Sequence, residues 1–287
     1  RNMLVINRVL ILSHPMSEDA SQLANKAIQL LHSYGLEVQH ILNIREIEPD
    51  SYDPPQLVIA IGGDGTVLRA QRLGLKHRIP VLGVAAGRLG FLAEVPPQML
   101  EEALKKVVNG EYRIEHRHTI QISHMRDNSC IGRYIALNDA VLARGTKPRS
   151  LAITVFVDGV LLAKYVADGI IAATATGSTA YSLAAGGPIL SPELSELLLT
   201  PIAAHLSFVR SIILPSTSDI DLTLARPQEA LLSVDGLVDT PVEYGDHLLV
   251  TGSPETAQFI RLTPPRHFYS QLVAKLQYNL QQTQQEK

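Results

Sequence analysis

Ten residues, Leu57-Val58-Ile59-Ala60-Ile61-Gly62-Gly63-Asp64-Gly65-Thr66, restrict the folds open to this chain more than any other stretch. Five apolar side chains run without a break into a turn that holds three glycines and one carboxylate. Such a run, bounded by turn residues, predicts a strand buried on both faces, as in a parallel sheet. Val67, Leu68 and Ala70, opposite Arg69 and Arg72, then predict the first turns of a helix. The glycine turn thus lies at the carboxyl end of a strand, where open α/β sheets bind ligands. Gly62, Gly63, Gly65 and Thr66 read as a phosphate cradle, because glycine lets the backbone come close and a helix N-terminus offers unpaired N–H groups. Asp64 does not fit a plain cradle. Its carboxylate repels phosphate unless it takes a proton from an attacking hydroxyl or holds a cation such as Mg²⁺. A helix-capping Asp is the third reading.

The flanking sequence repeats this logic. Val9-Leu10-Ile11-Leu12 predicts a short buried strand, and Ala20, Leu23, Ala24, Ala27, Leu30 and Leu31 place a helix over 17–34, closed by Gly35. Leu36 to Gln39 starts another strand, and a polar stretch from Glu48 to Gln56 leads into the glycine turn. Ile79 to Val84 predicts a strand that ends in a second glycine-bearing turn, Ala85 to Phe91, and Met99 to Val108 predicts a helix. Strand, helix, strand, strand, helix, strand, helix is the order of a Rossmann-like α/β nucleotide-binding domain.

From Tyr112 the texture changes. Short alternating runs, such as Ile153 to Val157, Ile220 to Leu224 and Leu231 to Val234, are separated by Asp158-Gly159, Asp235-Gly236 and Tyr244-Gly245-Asp246. Alternation with such turns predicts antiparallel sheet. The expected organisation is therefore α/β plus all-β. An α/β domain spans 1–112, and a β-rich, β-sandwich-like domain spans 113–266. A C-terminal helix from about 267 to 287, with Leu272, Val273, Leu276 and Leu280 on one face and a Gln-rich tail at 281–285, returns to the first domain.

Composition excludes several functions. A net charge of −3 without a basic stripe argues against a nucleic-acid binder, and no run approaches the ~20 apolar residues of a membrane span. The one cysteine, Cys130, read as a small, partly buried hydrophobe, rules out an internal disulfide framework and fits a reducing cytoplasm; no signal-peptide pattern is visible. His116, His118 and His124 flank an ordinary strand with no acid or Cys in register, so they read as surface residues and not as a zinc site.

Two further stretches carry chemistry. Asp168 to Pro188 packs small and hydroxylated residues around glycines, with an acid at one end and Tyr181 in the middle. Such a run presents backbone amides, hydroxyls and one aromatic face to a ligand. A tightly packed helix start, with Ser and Thr acting as caps, explains only some of it. Leu137-Asn138-Asp139-Ala140-Val141 sets an amide beside an acid in an apolar run. The pair is either a turn or a set of ligand contacts at a strand end, and both groups can hydrogen-bond ribose hydroxyls.

Gly62-Gly63-Asp64-Gly65-Thr66, Gly83 to Leu92, Asn138-Asp139, and Thr176 to Ser182 with Gly186-Gly187-Pro188 together resemble the ordered motifs of NAD kinases. The Gly-Gly-Asp-Gly turn is shared with diacylglycerol, sphingosine and 6-phosphofructo-kinases; Thr-Gly-Ser-Thr-Ala-Tyr-Ser is much more specific to NAD kinases. The resemblance implies transfer of a phosphoryl group from ATP, or polyphosphate, to the 2′-hydroxyl of the adenosine ribose of NAD, giving NADP, with Mg²⁺ as divalent ion. It implies Asp64 as the general base. It also implies NAD contacts at Asp64, Gly65, Arg69, Asn138, Asp139, Asp168, Thr179, Ala180, Tyr181, Ser182, Leu183 and Ala184. Phe91 would wall the adenine, and Arg149 falls where the family often has a basic or polar contact. A homo-oligomer, dimer or tetramer, with the NAD site near a subunit interface, is implied as well.

The chain departs from the family pattern at four places. Ala85 stands for a usual Asn, Asp139 for Glu, Ala175 for Pro and Leu237 for Gln. Asp139 keeps the charge with one methylene less reach, and Leu237 removes a hydrogen-bonding partner. None of the four alters Asp64. Two other readings compete. A lipid or small-molecule kinase that shares only the turn has no need of Asn138-Asp139 and Thr179 to Ser182. A non-catalytic dinucleotide sensor has no need of Asp64 with its glycines intact.

Overall fold

The computed structural model describes residues 5–42, 54–146, 149–204 and 210–274. Most of the polar stretch before Leu57, the hydrophobic positions Leu276 and Leu280, and the Gln-rich tail lie outside these residues. The chain divides into two compact units, 1–115 with 258–287, and 116–257.

The first unit contains β1 (Arg8–Ser13), α1 (Glu18–Ser33), β2 (Glu37–Ile41), β3 (Leu57–Gly62), α2 (Asp64–His77), β4 (Val81–Ala85) and α3 (Leu100–Val108). Its strands are parallel in the order β2-β1-β3-β4. Every residue of β3 is buried, as its unbroken apolar run requires. One face of the sheet, with Ile59, Ile61, Leu82 and Val84, meets Ala20, Ala24 and Ala27 of α1 and Leu100 and Leu104 of α3. On the other face Gly83 leaves room for Val67 of α2. Ser17 caps α1 by accepting the Ala20 N–H (3.2 Å), and Gly35 follows at φ +79°, the left-handed geometry that ends a helix. Residues 267–274 are helical and belong to this unit.

The second unit holds most of β5 (Arg113–Arg126), then β6 (Ser129–Ala136), β7 (Asp139–Arg144), β8 (Leu151–Val157), β9 (Val160–Ala167) and β10 (Gly169–Ala173). The short helix α4 (Tyr181–Ala184) precedes β11 (Leu197–Ile202), β12 (Ile212–Leu214), β13 (Ile220–Leu224), β14 (Ala230–Val234), β15 (Val238–Val242) and most of β16 (His247–Arg261). One antiparallel sheet runs β12-β11-β10-β7-β14-β15; in the second layer β13 joins β16 to β8, β9 extends it, and β5 pairs with β16 and β6. Alternate residues of both layers, among them Leu142, Ile170 and Leu232 facing Ile153, Tyr165 and Leu222, form one core. This is the expected sandwich. Asp158 and Gly159, at φ +51° and +76°, form the two-residue turn that their sequence demands.

Five strands, β6, β9, β11, β12 and β15, were not read from the sequence. β10 lies hidden inside the small-residue run, where Gly169 to Ala173 is buried on both faces. Two readings of burial are corrected, one in each direction. Cys130 is exposed, on the outer side of the β5–β6 hairpin. His124 is buried, and its Nε2 lies 2.7 Å from Asp246 Oδ2. The partner acid is supplied from 122 residues away. Arg126 donates twice to the same carboxylate (2.7 and 2.8 Å) and so holds Asp246 well below the usual carboxylate range.

Candidate active site

In the first unit the glycine turn joins β3 to α2 as the sequence predicts. Gly63 is the N-cap of α2 and no side chain caps the helix; the Thr66 N–H turns back to the Gly63 carbonyl (2.9 Å), so the amides ahead of it are the ones open to an anion. A Cβ at Gly63 or Gly65 would meet no atom within 4 Å, whereas one at Gly62 would overlap Thr66 Oγ1. Gly62 is therefore needed for packing, while Gly63 and Gly65 border open space. Arg69 Nη2 donates to Thr66 Oγ1 (3.2 Å), which steadies the first turn.

Asp64 does not cap its own helix. Its carboxylate accepts the backbone N–H of Phe91 at Oδ2 (2.8 Å) and of Leu92 at Oδ1 (3.0 Å). The second glycine turn thus folds over the first. A Cβ at Gly90 would overlap the Asp64 carboxyl group, so only glycine allows this closeness. The Phe91 ring packs near Phe268, with centroids 6.5 Å apart. Asp64 is thereby fixed in direction, and each oxygen keeps a lone pair beyond the amide it holds.

In the second unit the other motifs converge at one end of the six-stranded sheet. β7 begins at Asp139, opposite Ala173 at the end of β10, and Val234 at the end of β14 pairs with Ala140. Asn138 and Asp139 are a strand-end pair. Gly177 lies so close to the Asn138 carbonyl that a Cβ would overlap it, and the Thr174 N–H donates to the same carbonyl (2.9 Å). Of the hydroxyl-rich run, Thr174, Thr176, Ser178 and Ser182 are buried. Ser178 Oγ accepts the Leu190 N–H (2.9 Å), and Ser182 Oγ lies 3.0 Å from Thr200 Oγ1. Their side chains hold the segment on the sheet, so a ligand contact at Ser182 falls to its backbone. Thr179 and Ala180 are half-buried and Tyr181 is exposed; with Leu183 and Ala184 they form the outward surface.

Asp168 lies elsewhere. It precedes Gly169, whose partner is Ala143, and its carboxylate is 3.4 Å from Arg144 Nε and from Ser150 Oγ. At about 3.4 Å per residue the strand separates Asp168 from Asp139 by roughly 17 Å. Arg149 is exposed next to Ser150.

Two residues at the second unit's site went unread in the sequence. Asp235 was legible only as a turn, yet its carboxylate accepts the N–H groups of Leu137, Asn138 and Asp139 (2.9, 2.7 and 3.1 Å). It anchors the pair, and Leu237 follows in the same hairpin. Arg117 is buried and donates to Thr176 Oγ1 (3.3 Å). Burial, with the Asp235 charge beside it, pushes the Asp139 carboxyl up to about 7. At neutral pH it is balanced between donating and accepting.

Comparison with known proteins decides between the kinase families. The ATP-NAD kinase N-terminal domain model matches residues 42–112, and the ATP-NAD kinase C-terminal domain model matches 137–262. Together they cover more than half of the chain. The chain belongs to the NAD kinase family. An NAD kinase of Chloroflexus aggregans is 39% identical over 278 residues, 95% of this chain and 99% of that protein. Among solved structures, yeast NADH kinase complexed with NADH is similar at a TM-score of 0.79 and 28% identity, covering 90% of this chain and 84% of that one. The fold is also that of an NAD kinase from Archaeoglobus fulgidus in complex with ATP, at a TM-score of 0.77, 23% identity and coverage of 94% and 98%. NAD kinase membership accounts for both motif clusters, where the glycine turn alone left several kinase families open.

No cluster of three His, Cys, Asp or Glu side chains that could hold a metal occurs among the described residues. Asp64 is the carboxylate at the glycine turn. This donor set fits Mg²⁺ that is carried mainly by substrate phosphates and water, with one protein carboxylate at most.

Proposed function

We propose that the protein transfers the γ-phosphoryl group of ATP to the 2′-hydroxyl of the adenosine ribose of NAD, giving NADP. Family membership supports the reaction class. The observation that carries the assignment of roles is Asp64, held by two backbone amides beside an uncapped helix start with open glycines. Phosphoryl transfer depends mainly on positioning and charge stabilisation. The α2 amide at Gly65 binds the phosphates, Asp64 accepts the proton of the attacking hydroxyl, and Arg69 keeps Thr66 in place. A divalent ion such as Mg²⁺, held by substrate phosphates with Asp64 as the protein carboxylate nearby, would neutralise phosphate charge. In the second unit Asn138 and Asp139 bind ribose hydroxyls, and Thr179 to Ala184 present backbone and the Tyr181 ring to the dinucleotide. Asp168 and Arg149, at the far end of β10, serve a dinucleotide site in another copy of a homo-oligomer. The single exposed cysteine fits a cytoplasmic location, and no described helix is long and apolar enough to cross a membrane. Purified protein with NAD, ATP and Mg²⁺ is expected to form NADP; polyphosphate and NADH supplied in turn define the donor and acceptor range. Binding of NAD with no NADP under sensitive coupled detection sinks the kinase reading in favour of a sensor.

Asp139 adds a pH signature. Its folded-state carboxyl titrates near 7 and its unfolded one near the ordinary 3.8. Below about 4 both states are protonated and burial carries no charge penalty. Between those values the folded state binds more protons than the unfolded one, so stability falls as pH rises. Above 7 the full penalty remains. Melting temperatures from pH 5 to pH 8 are therefore expected to fall more steeply for the wild type than for Asp139→Asn. Parallel curves contradict the buried, proton-retaining carboxyl.

A further inference from the structure

A second charged network in the first unit has no place in that mechanism as written. Arg261, at the end of β16, is 5% exposed, as buried as the apolar core around it. Its Nε donates to Glu115 Oε1 (3.0 Å), and its Nη1 donates to the Leu92 carbonyl (3.0 Å) and Glu94 Oε2 (3.3 Å). The guanidinium also lies over the Phe259 ring, 4.9 Å from its centroid. Glu94 Oε1 accepts the N–H groups of Leu262 and Thr263 (both 2.9 Å), so this carboxylate has little capacity left. Burying three charges is expensive, and apolar side chains of similar volume often stabilise a fold as well or better. The network is thus poorly explained by stability alone.

Glu115 pairs with Arg113 as well (3.0 Å), and one of the network's links beyond its charged groups is the Leu92 peptide. The carbonyl of that residue accepts from Arg261, and its N–H donates to Asp64. We infer that Arg261, locked by Glu94 and Glu115, is a positioning residue that orients the 91–92 backbone and so aims the Asp64 carboxylate. The forked guanidinium suits this role because it reaches three acceptors in one plane, which an ammonium group cannot do. The inference rests on the reading of Asp64 as the group that receives the substrate proton. Supporting groups of this kind typically change activity by about 10- to 100-fold when altered.

The test uses the full chain with Arg261→Lys and, as a milder variant, Glu115→Gln, alongside Asp64→Asn. Expected for Arg261→Lys is a fall in kcat of roughly tenfold with KM for NAD and ATP within about twofold. The backbone amide NMR resonances of Phe91 and Leu92 should move, and Asp64→Asn should move the same two. Glu115→Gln is expected to show the same pattern at smaller amplitude, and it carries the test if Arg261→Lys does not fold. A folded variant with kcat within twofold of the wild type, or with those two resonances unmoved, overturns the positioning role. A loss confined to KM overturns it too. A wild type that forms no NADP sinks the kinase reading separately, and the two amide resonances still decide whether Arg261 controls the Asp64 contact.

Discussion

Asp64→Asn is expected to lower kcat by about 10²- to 10⁴-fold, the usual contribution of a positioned general base, with NAD and ATP still bound. Asn is the informative choice because of what Asp64 already holds. The carboxylate accepts the N–H groups of Phe91 and Leu92, and Asn keeps one acceptor oxygen for them. Asp64→Ala leaves both donors without their partner, at about 1–3 kcal/mol for each buried group that finds no other. An alanine variant therefore mixes lost chemistry with a loosened loop, and the sequence alone gives no hint of this. Steady-state rates, with binding measured by isothermal titration, separate the two effects. Turnover by Asp64→Asn within tenfold of the wild type removes Asp64 from the role of base.

Gly90→Ala is the second large effect. The new methyl group would occupy space held by the Asp64 carboxyl, whose short side chain is tied at both oxygens. Either the carboxylate rotates away from its amides or the 90–92 backbone withdraws. Both misplace the Asp64 carboxylate by about an ångström, which is expected to cost activity on the order of 10²-fold. Gly63→Ala is the matched control, since a Cβ there meets nothing within 4 Å. The pair is expected to differ in kind. Gly90→Ala lowers kcat and melting temperature, whereas Gly63→Ala leaves the melting temperature unchanged and raises KM for ATP. Unaltered kcat in Gly90→Ala shows that the turn can relax without moving Asp64.

The parts of the site that were legible in the sequence are those written over short distances. The apolar run of β3, the glycines after it and the apolar face of α2 fall within about twenty consecutive residues. Asn138 and Asp139 were readable as a turn or a strand end, because adjacent polar groups break strand alternation; the pairing of Asp139 with Ala173 makes them a strand end. The run from Thr174 to Ser182 was legible as unusual, but its division of labour was not. Which hydroxyls turn inward depends on Thr200 and Leu190, which lie on other segments. The unread residues are those whose partners are distant. Asp235 bonds to a peptide 98 residues earlier, Asp246 to a histidine 122 residues earlier, and Arg261 to Glu115 across 146 residues. A contact of that separation leaves no periodic trace, and a lone charge at either end reads as a solvated side chain.

The order in which a ribosome delivers the chain gives the Arg261 network a further consequence. The first unit is discontinuous, with residues 116–257 inserted between Glu115 and Gln258. Glu94 and Glu115 emerge early, and the cation that joins them emerges only after the whole inserted unit. Until then the nascent first unit lacks both Arg261 and the strand that pairs Phe259 with Val81. Glu94 without its guanidinium opposes closure of the surrounding core, whereas Glu115 keeps its pair with Arg113 (3.0 Å). The unit that carries Asp64 is therefore expected to mature last, although most of its sequence is made first.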